Sequence, residues 1–177
     1  MTVIAIALAV LGAAVALNIT LTVGVIRRLR EHSTQLAQLR NPDSVMAPVE
    51  TVTGEFSVRT LDGEKLSERD WRGLTLVGFF SPTCSACHER LPQFIEHASR
   101  MPGGRQQALA VVVGEEGTEA QAAELTAVAR TVVEAPDGPL VKAFSVRGFP
   151  AFAMVGGDRR IVATGYELDQ VPLPAAA

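Results

Sequence analysis

Apolar residues are distributed along this chain in two ways. From Met1 to Ile26 no side chain is charged and Ala, Val, Ile and Leu predominate, a run long enough to cross a bilayer as one helix. Arg27-Arg28-Leu29-Arg30 follow at once. A cleaved signal peptide would instead carry a positive start, a shorter apolar core and a small-residue cleavage site, so a retained single-pass anchor is expected. Leu29, His32, Leu36 and Leu39 then recur every three or four residues, a coiled-coil seam too short to impose pairing. A solvated helical stalk is expected there, stopped by Asn41-Pro42-Asp43 and followed by a linker to about Pro48.

Beyond the linker the apolar residues come in short bursts between polar turns. Glu55 to Arg59 alternates as a half-buried strand does, Leu61-Asp62-Gly63 is a turn, and Leu66 to Gly73 is expected as a short helical connection. Leu74 to Phe80 is nearly all apolar and too short for a free-standing helix, which predicts a strand buried on both faces. Glu89 to Ala98 has apolar positions at 91, 94, 95 and 98, a helical spacing, with Pro92 set to remove one backbone donor and kink it. Ala108 to Val113 reads as a second buried strand, Thr118 to Arg130 as a helix, Thr131 to Val133 as a short strand and Pro139 to Phe144 as helical. Ala151 to Val155, Gly156-Gly157-Asp158 and Arg160 to Thr164 form a closing hairpin. Strands alternating with helices and ending in a hairpin predict an α/β sandwich around a mixed sheet. The expected organisation is an anchor over 1–26, stalk and linker over 27–48, a domain over 49–166 and a tail over 167–177.

Charge and cysteines narrow the chemistry. A formal charge of −3, with no basic patch interleaved with aromatics, argues against nucleic acid. The only two cysteines stand together in Cys84-Ser85-Ala86-Cys87, so no disulfide framework exists. A structural zinc site needs four ligands, and His32 and His97 have no spacing that completes one. No metal and no cofactor is expected.

The cysteine pair falls between the buried strand and the following helix. Unpaired N–H groups and the dipole at a helix N-terminus favour negative charge, which lowers a thiol's pKa. Cys84, the outer residue, is therefore the expected nucleophile. Cys87, one turn on, is expected to attack the mixed disulfide and release it. His88 lies four residues after Cys84 and shares a helix face with it, making it a candidate modulator of that pKa.

These residues resemble the thioredoxin superfamily, and its membrane-anchored TlpA/ResA-like branch in particular. Three features carry the resemblance: the strand and C-x-x-C with Pro92 five residues after the second cysteine; Val146-Arg147-Gly148-Phe149-Pro150 before an apolar strand; and Phe56, Leu61-Asp62-Gly63, Leu66 and Gly73 ahead of the central strand. Together they cover roughly Val49 to Gly165. The wording Phe-Phe-Ser-Pro-Thr-Cys behind a short anchor is also similar to the accessory thioredoxin-like proteins of methylamine dehydrogenase maturation. The resemblance implies a thioredoxin-like sandwich and a thiol–disulfide oxidoreductase. Its substrates would be protein disulfides, and an upstream dithiol donor, such as a membrane protein, would recharge it. It further implies that Pro150 is a cis-proline facing the cysteines and that, with Phe149, it meets an extended partner chain.

The departures from the family matter equally. Gly78 stands where thioredoxins keep a buried carboxylate, Arg90 where TlpA-like proteins often carry a glutamate, and Thr83 where a tryptophan usually precedes the first cysteine. The group that deprotonates Cys87 is thus left open. The family's last helix is missing from Tyr166 to Ala177, which holds two prolines, so one sheet face needs another cover, such as the stalk or a partner.

Other classes compete. Cys84-Ser85-Ala86-Cys87-His88 also fits the attachment pattern of c-type haem, with His88 as axial ligand and His97, Met101 or Met154 as second. A peroxidase loop would need a proline at position 77, where Val77 stands. The fold could also serve only as a peptide-binding module. Sidedness is contested within the sequence. Arg27, Arg28, Arg30 and Arg40 after the span, with none before it, place the domain in the cytoplasm by the positive-inside rule. The family is usually extracytoplasmic, and juxtamembrane arginines can rest on lipid headgroups. An extracytoplasmic domain on a single-pass anchor in the cell membrane is expected.

Overall fold

The computed structural model describes residues 45–174, so the expected anchor and stalk lie outside the described residues. Among the described residues no helix is long and apolar enough to cross a membrane.

Strand β3 (Thr75–Phe80) is the centre of the sheet, and all six of its residues are buried. This is what its unbroken apolar run requires: Val77 and Phe79 face one layer, Leu76 and Phe80 the other. β4 (Ala108–Val113) and β5 (Arg130–Glu134) continue the sheet on one side in parallel. β6 (Ala151–Val155) and β7 (Ile161–Gly165) complete it on the other side, antiparallel, giving the order β5-β4-β3-β6-β7. A small hairpin, β1 (Ser57–Arg59) with β2 (Lys65–Ser67), precedes the sheet. Both sheet edges are partly covered: Leu61 N–H donates to Thr131 O on β5, and Ile161 N–H on β7 donates to Thr51 O.

Helix α1 (Ser85–Ser99) and helix α2 (Glu119–Thr126) cover the Leu76/Phe80 face, where Leu91, Phe94, Ala122 and Leu125 are buried. The opposite face packs Phe56, Leu66, Trp71 and, after the short helix α3 (Pro139–Ala143), Phe144. α1 runs through Pro92 without ending. The alternation of strands and helices around a mixed sheet is as the sequence predicted.

Four expectations need correction. Leu66 to Gly73 is not helical: Lys65–Ser67 pairs with β1, and Asp70 then accepts from both the N–H and the hydroxyl of Ser67, at 2.7 and 2.8 Å. That side-chain turn competes with helix formation. The helix expected to Arg130 ends at Thr126, because Arg130 joins β5 opposite Leu109. The linker end, Val45 to Ala47, is packed rather than solvated: all three are buried, Ala47 N–H donates to Phe144 O, and Val45 O accepts from Arg147 N–H. Finally, the sheet face expected to need the stalk or a partner as cover is met in part by the segment after β7. Leu168–Gln170 forms one 3-10 turn closed by a reciprocal Glu167/Gln170 cap, and Leu168 and Val171 are buried against the α1 face. Arg90 on α1 pairs with Glu167 at 2.6 Å, fastening the tail to the helix.

Candidate active site at the start of helix α1

β3 ends at Phe80, and Ser81-Pro82-Thr83-Cys84 turns the chain into α1, with Cys84 N–H donating to Ser81 O at 3.1 Å. Cys84 is the N-cap of α1. Its extended backbone lets its sulfur fold back and accept from Cys87 N–H at 3.3 Å. A sulfur thus does here what a serine or aspartate oxygen does at most helix starts.

The two thiols sit in unlike surroundings. Cys84 is half-buried, whereas Cys87 is fully buried in the layer with Phe80, Leu91 and Phe94. The thiol of Cys87 donating toward Cys84 is the largest influence on Cys84; N–H groups of Cys87 and Ala86 add to it, and the charge of His88 adds last. Against the opposition of burial, they bring the Cys84 pKa down to about 7. Cys87 moves the other way, pushed up by that same bond, by burial and by the charge on Cys84. Ser81 N–H, donating to the Cys87 sulfur at 3.4 Å, is the one influence that opposes this rise. The pair is therefore one ionisable, reachable sulfur with a protonated one behind it.

Across from Cys84 lies the loop between α3 and β6. The Phe149–Pro150 bond is cis, and the Cys84 thiol donates to Phe149 O at 3.4 Å. Cys84, Cys87, Phe149 and Pro150 are thus brought together. His88 is on the same helix turn, and its ring Nε2–H donates to Pro82 O at 3.0 Å. Arg90, at the position of the TlpA-like glutamate, is turned to Glu167.

Beneath the pair, the position of the thioredoxin carboxylate is filled by aromatic rings. A Cβ on Gly78 would lie 2.6 Å from Phe94 Cε2 and 2.9 Å from Phe80 Cε2. Phe80, Phe94 and Phe152 form one cluster there, with ring centroids 5.1 to 6.1 Å apart. Among the described residues, the only charge that bears on Cys87 is that of Cys84.

The c-type haem reading does not fit this arrangement. Thioether attachment needs both sulfurs outside the core, and Cys87 has no exposed surface. Among the described residues no group of three or more His, Cys, Asp or Glu is placed to hold a metal. Ser81 and Phe149, whose backbone N–H and carbonyl touch the sulfurs, are the participants that residue type alone did not reveal as polar contacts. The Ser-Pro-Thr turn was the signal for the first.

The strand order, the N-cap cysteine and the cis-proline loop define a thioredoxin fold. No protein-family model matches the chain, and no curated protein matches it by sequence. Solved structures do. The thioredoxin domain of a thiol-disulfide oxidoreductase from Bacteroides vulgatus is similar at 19% identity and a TM-score of 0.58, over 71% of this chain and 93% of that one. A thiol:disulfide interchange protein from Bacteroides sp. is similar at 19% identity and a TM-score of 0.56, over 70% and 84%. The pneumococcal exposed lipoprotein thioredoxin from Streptococcus pneumoniae is similar at 21% identity and a TM-score of 0.52, over 67% and 95%. The structures this chain resembles are thiol–disulfide oxidoreductases and thioredoxins, which agrees with the resemblance carried by the sequence.

Proposed function

We propose that the chain is a membrane-tethered protein thiol–disulfide oxidoreductase of the TlpA/ResA-like kind, working as a reductant of partner proteins. The observation that carries this reading is the unequal pair: a half-buried Cys84 ionising near neutrality at a helix N-terminus, with a protonated, buried Cys87 behind it. The Cys84 thiolate attacks one sulfur of a partner's disulfide. A Cys84–partner bond forms, and the partner's other sulfur departs as a thiolate that takes a proton from water. Cys87 then gives its proton to water, or to the hydroxide left by the first step, and attacks Cys84. The Cys84–Cys87 disulfide forms, the second partner thiol leaves, and two electrons have passed to the partner. An upstream dithiol, supplied by a membrane protein, returns the pair to its starting state. The Phe149 carbonyl beside Cys84 marks the edge along which an extended partner chain would lie.

The apolar run over 1–26 serves as a single-pass anchor, and the domain stands outside the cytoplasm. One of the similar structures is described as an exposed lipoprotein, which supports that side against the arginine count.

The test is a Cys87→Ala variant of the full chain, expressed in its membrane. Partners held on Cys84 and released by reductant are expected; absence of any thiol-dependent adduct overturns the exchange chemistry. Labelling of intact cells with a membrane-impermeant thiol reagent reports the side, and protection of reduced Cys84 until lysis would reverse it.

A further inference from the structure

The Ser81–Cys84 turn controls both sulfurs. At its start, Ser81 N–H donates to the Cys87 sulfur; at its end, Cys84 caps the helix. Three contacts hold its middle. Pro82 presets φ at the second turn position, and its ring lies against the loop after β4, where a Cβ on Gly114 would be 3.2 Å from Pro82 Cγ. The hydroxyls of Ser81 and Thr83 pair at 3.3 Å. The third contact comes from the helix itself: the imidazole of His88 reaches back over the N-cap to the Pro82 carbonyl at 3.0 Å.

We propose that His88 is a positioning residue, bracing the Ser81–Cys84 turn through the Pro82 carbonyl and thereby fixing the pose of the Cys84 sulfur. Its geometry stands independently of the thiol-exchange reading; its consequence for turnover rests on that reading. A carbonyl only accepts, so the neutral ring carries its proton on Nε2, and a second proton would go to Nδ1. The brace therefore persists in both charge states of the ring. This differs from a through-space effect of an imidazolium, which would vanish with the charge.

Two substitutions separate the roles. His88→Gln keeps an N–H donor of similar reach without the cation, and His88→Ala removes both. Hydrogen exchange at Cys84 N–H, the bond that closes the turn, and alkylation of Cys84 by iodoacetamide across pH 5 to 9 are measured on the full chain in detergent. His88→Ala should exchange several-fold faster at Cys84 N–H. It should also alkylate about threefold more slowly near pH 6, because a loosened turn holds less of the thiolate. His88→Gln should match the unmodified chain in exchange at Cys84 N–H and keep most of its alkylation rate, losing only the small part that the His88 charge adds. A Gln variant that behaves like Ala, or an Ala variant indistinguishable from the unmodified chain, overturns the proposal. Alkylation reads the sulfur whether or not disulfides are exchanged. A chain that alkylates as described yet exchanges with no disulfide would remove the proposed function while leaving the brace standing.

Discussion

Gly78 and Phe94 occupy each other's space: the ring edge of Phe94 lies 2.6 Å from where a Cβ on Gly78 would be built. Both belong to elements that make the site, since Gly78 is in β3 and Phe94 in α1. A carboxylate at 78 and a phenyl ring at 94 are alternative ways to fill the volume under Cys87. Gly78→Asp is expected to destabilise the chain by about 3 kcal/mol or more, from overpacking and an unpaired buried carboxyl. Phe94→Ala alone should cost about 3–5 kcal/mol through the cavity it leaves. Together they should cost less than the sum, because the smaller residue at 94 makes room for the larger one at 78. Urea denaturation of the four chains checks this, and additivity within about 0.5 kcal/mol would contradict it.

The Cys84 thiol should titrate near pH 7. Its folded pKa is depressed below that of a free thiol, so the folded chain holds the thiolate more strongly than the unfolded chain does. The associated stability is fully present above the unfolded value and is lost as pH falls through about 7. Reduced protein should therefore gain stability relative to Cys84→Ser between pH 6 and 9. Thermal melts of both chains across that range check the sign; a difference that shrinks as pH rises would refute it.

How much of this was legible in the sequence differs from element to element. β3 and β4 were readable because a strand buried on both faces needs no alternation, and the apolar runs at 74–80 and 108–113 have no other short solution. The cysteine pair was readable from its spacing and its place at a strand–helix junction. The absence of a carboxylate was visible as Gly78, but what replaced it was not, because Phe94 reaches that volume from a different element. Leu66 to Gly73 misled because its apolar positions suit a helix, while the two hydrogen bonds from Ser67 to Asp70 decide otherwise. Val45 to Ala47 looked like linker because three residues show no period; their burial depends on Phe144 and Arg147, far along the chain. His88 was found by its spacing to Cys84, yet its contact is with the residue two before Cys84.

The tail shows the same dependence on distant partners, and it carries a stability prediction. Leu168 and Val171 are buried beside α1, and Arg90 and Glu167 hold the turn in place. Leu168→Ala should cost about 2–5 kcal/mol, as for other buried leucines. Arg90→Ala should cost no more than about 1 kcal/mol, because that ion pair is partly exposed. Denaturant midpoints rank the two, and the reverse order would mean that the ion pair, not the apolar contact, fastens the tail.

Glu134 is a buried carboxylate that thiol chemistry does not use. It ends β5 and accepts from Leu140 N–H at 3.2 Å and Val141 N–H at 2.7 Å, holding the first turn of α3. Burial, the largest influence, raises its pKa against those two bonds and the charge of Lys142. The folded chain therefore binds a proton at Glu134 more readily than the unfolded chain does. The resulting contribution is fully present below the unfolded carboxylate value, and it is lost as pH rises through the higher folded one. Glu134→Gln keeps an acceptor but cannot titrate, so it should flatten this part of the pH–stability curve while preserving the fold. Glu134→Ala leaves two buried N–H groups without their acceptor and should cost about 1–3 kcal/mol for each that finds no other. Because α3 leads into the loop bearing Phe149, whose carbonyl accepts from the protonated Cys84 thiol, Glu134→Ala should also speed alkylation of Cys84, whereas Glu134→Gln should not. Equal alkylation rates in all three chains would show that α3 and the Phe149 carbonyl are held independently of this carboxylate.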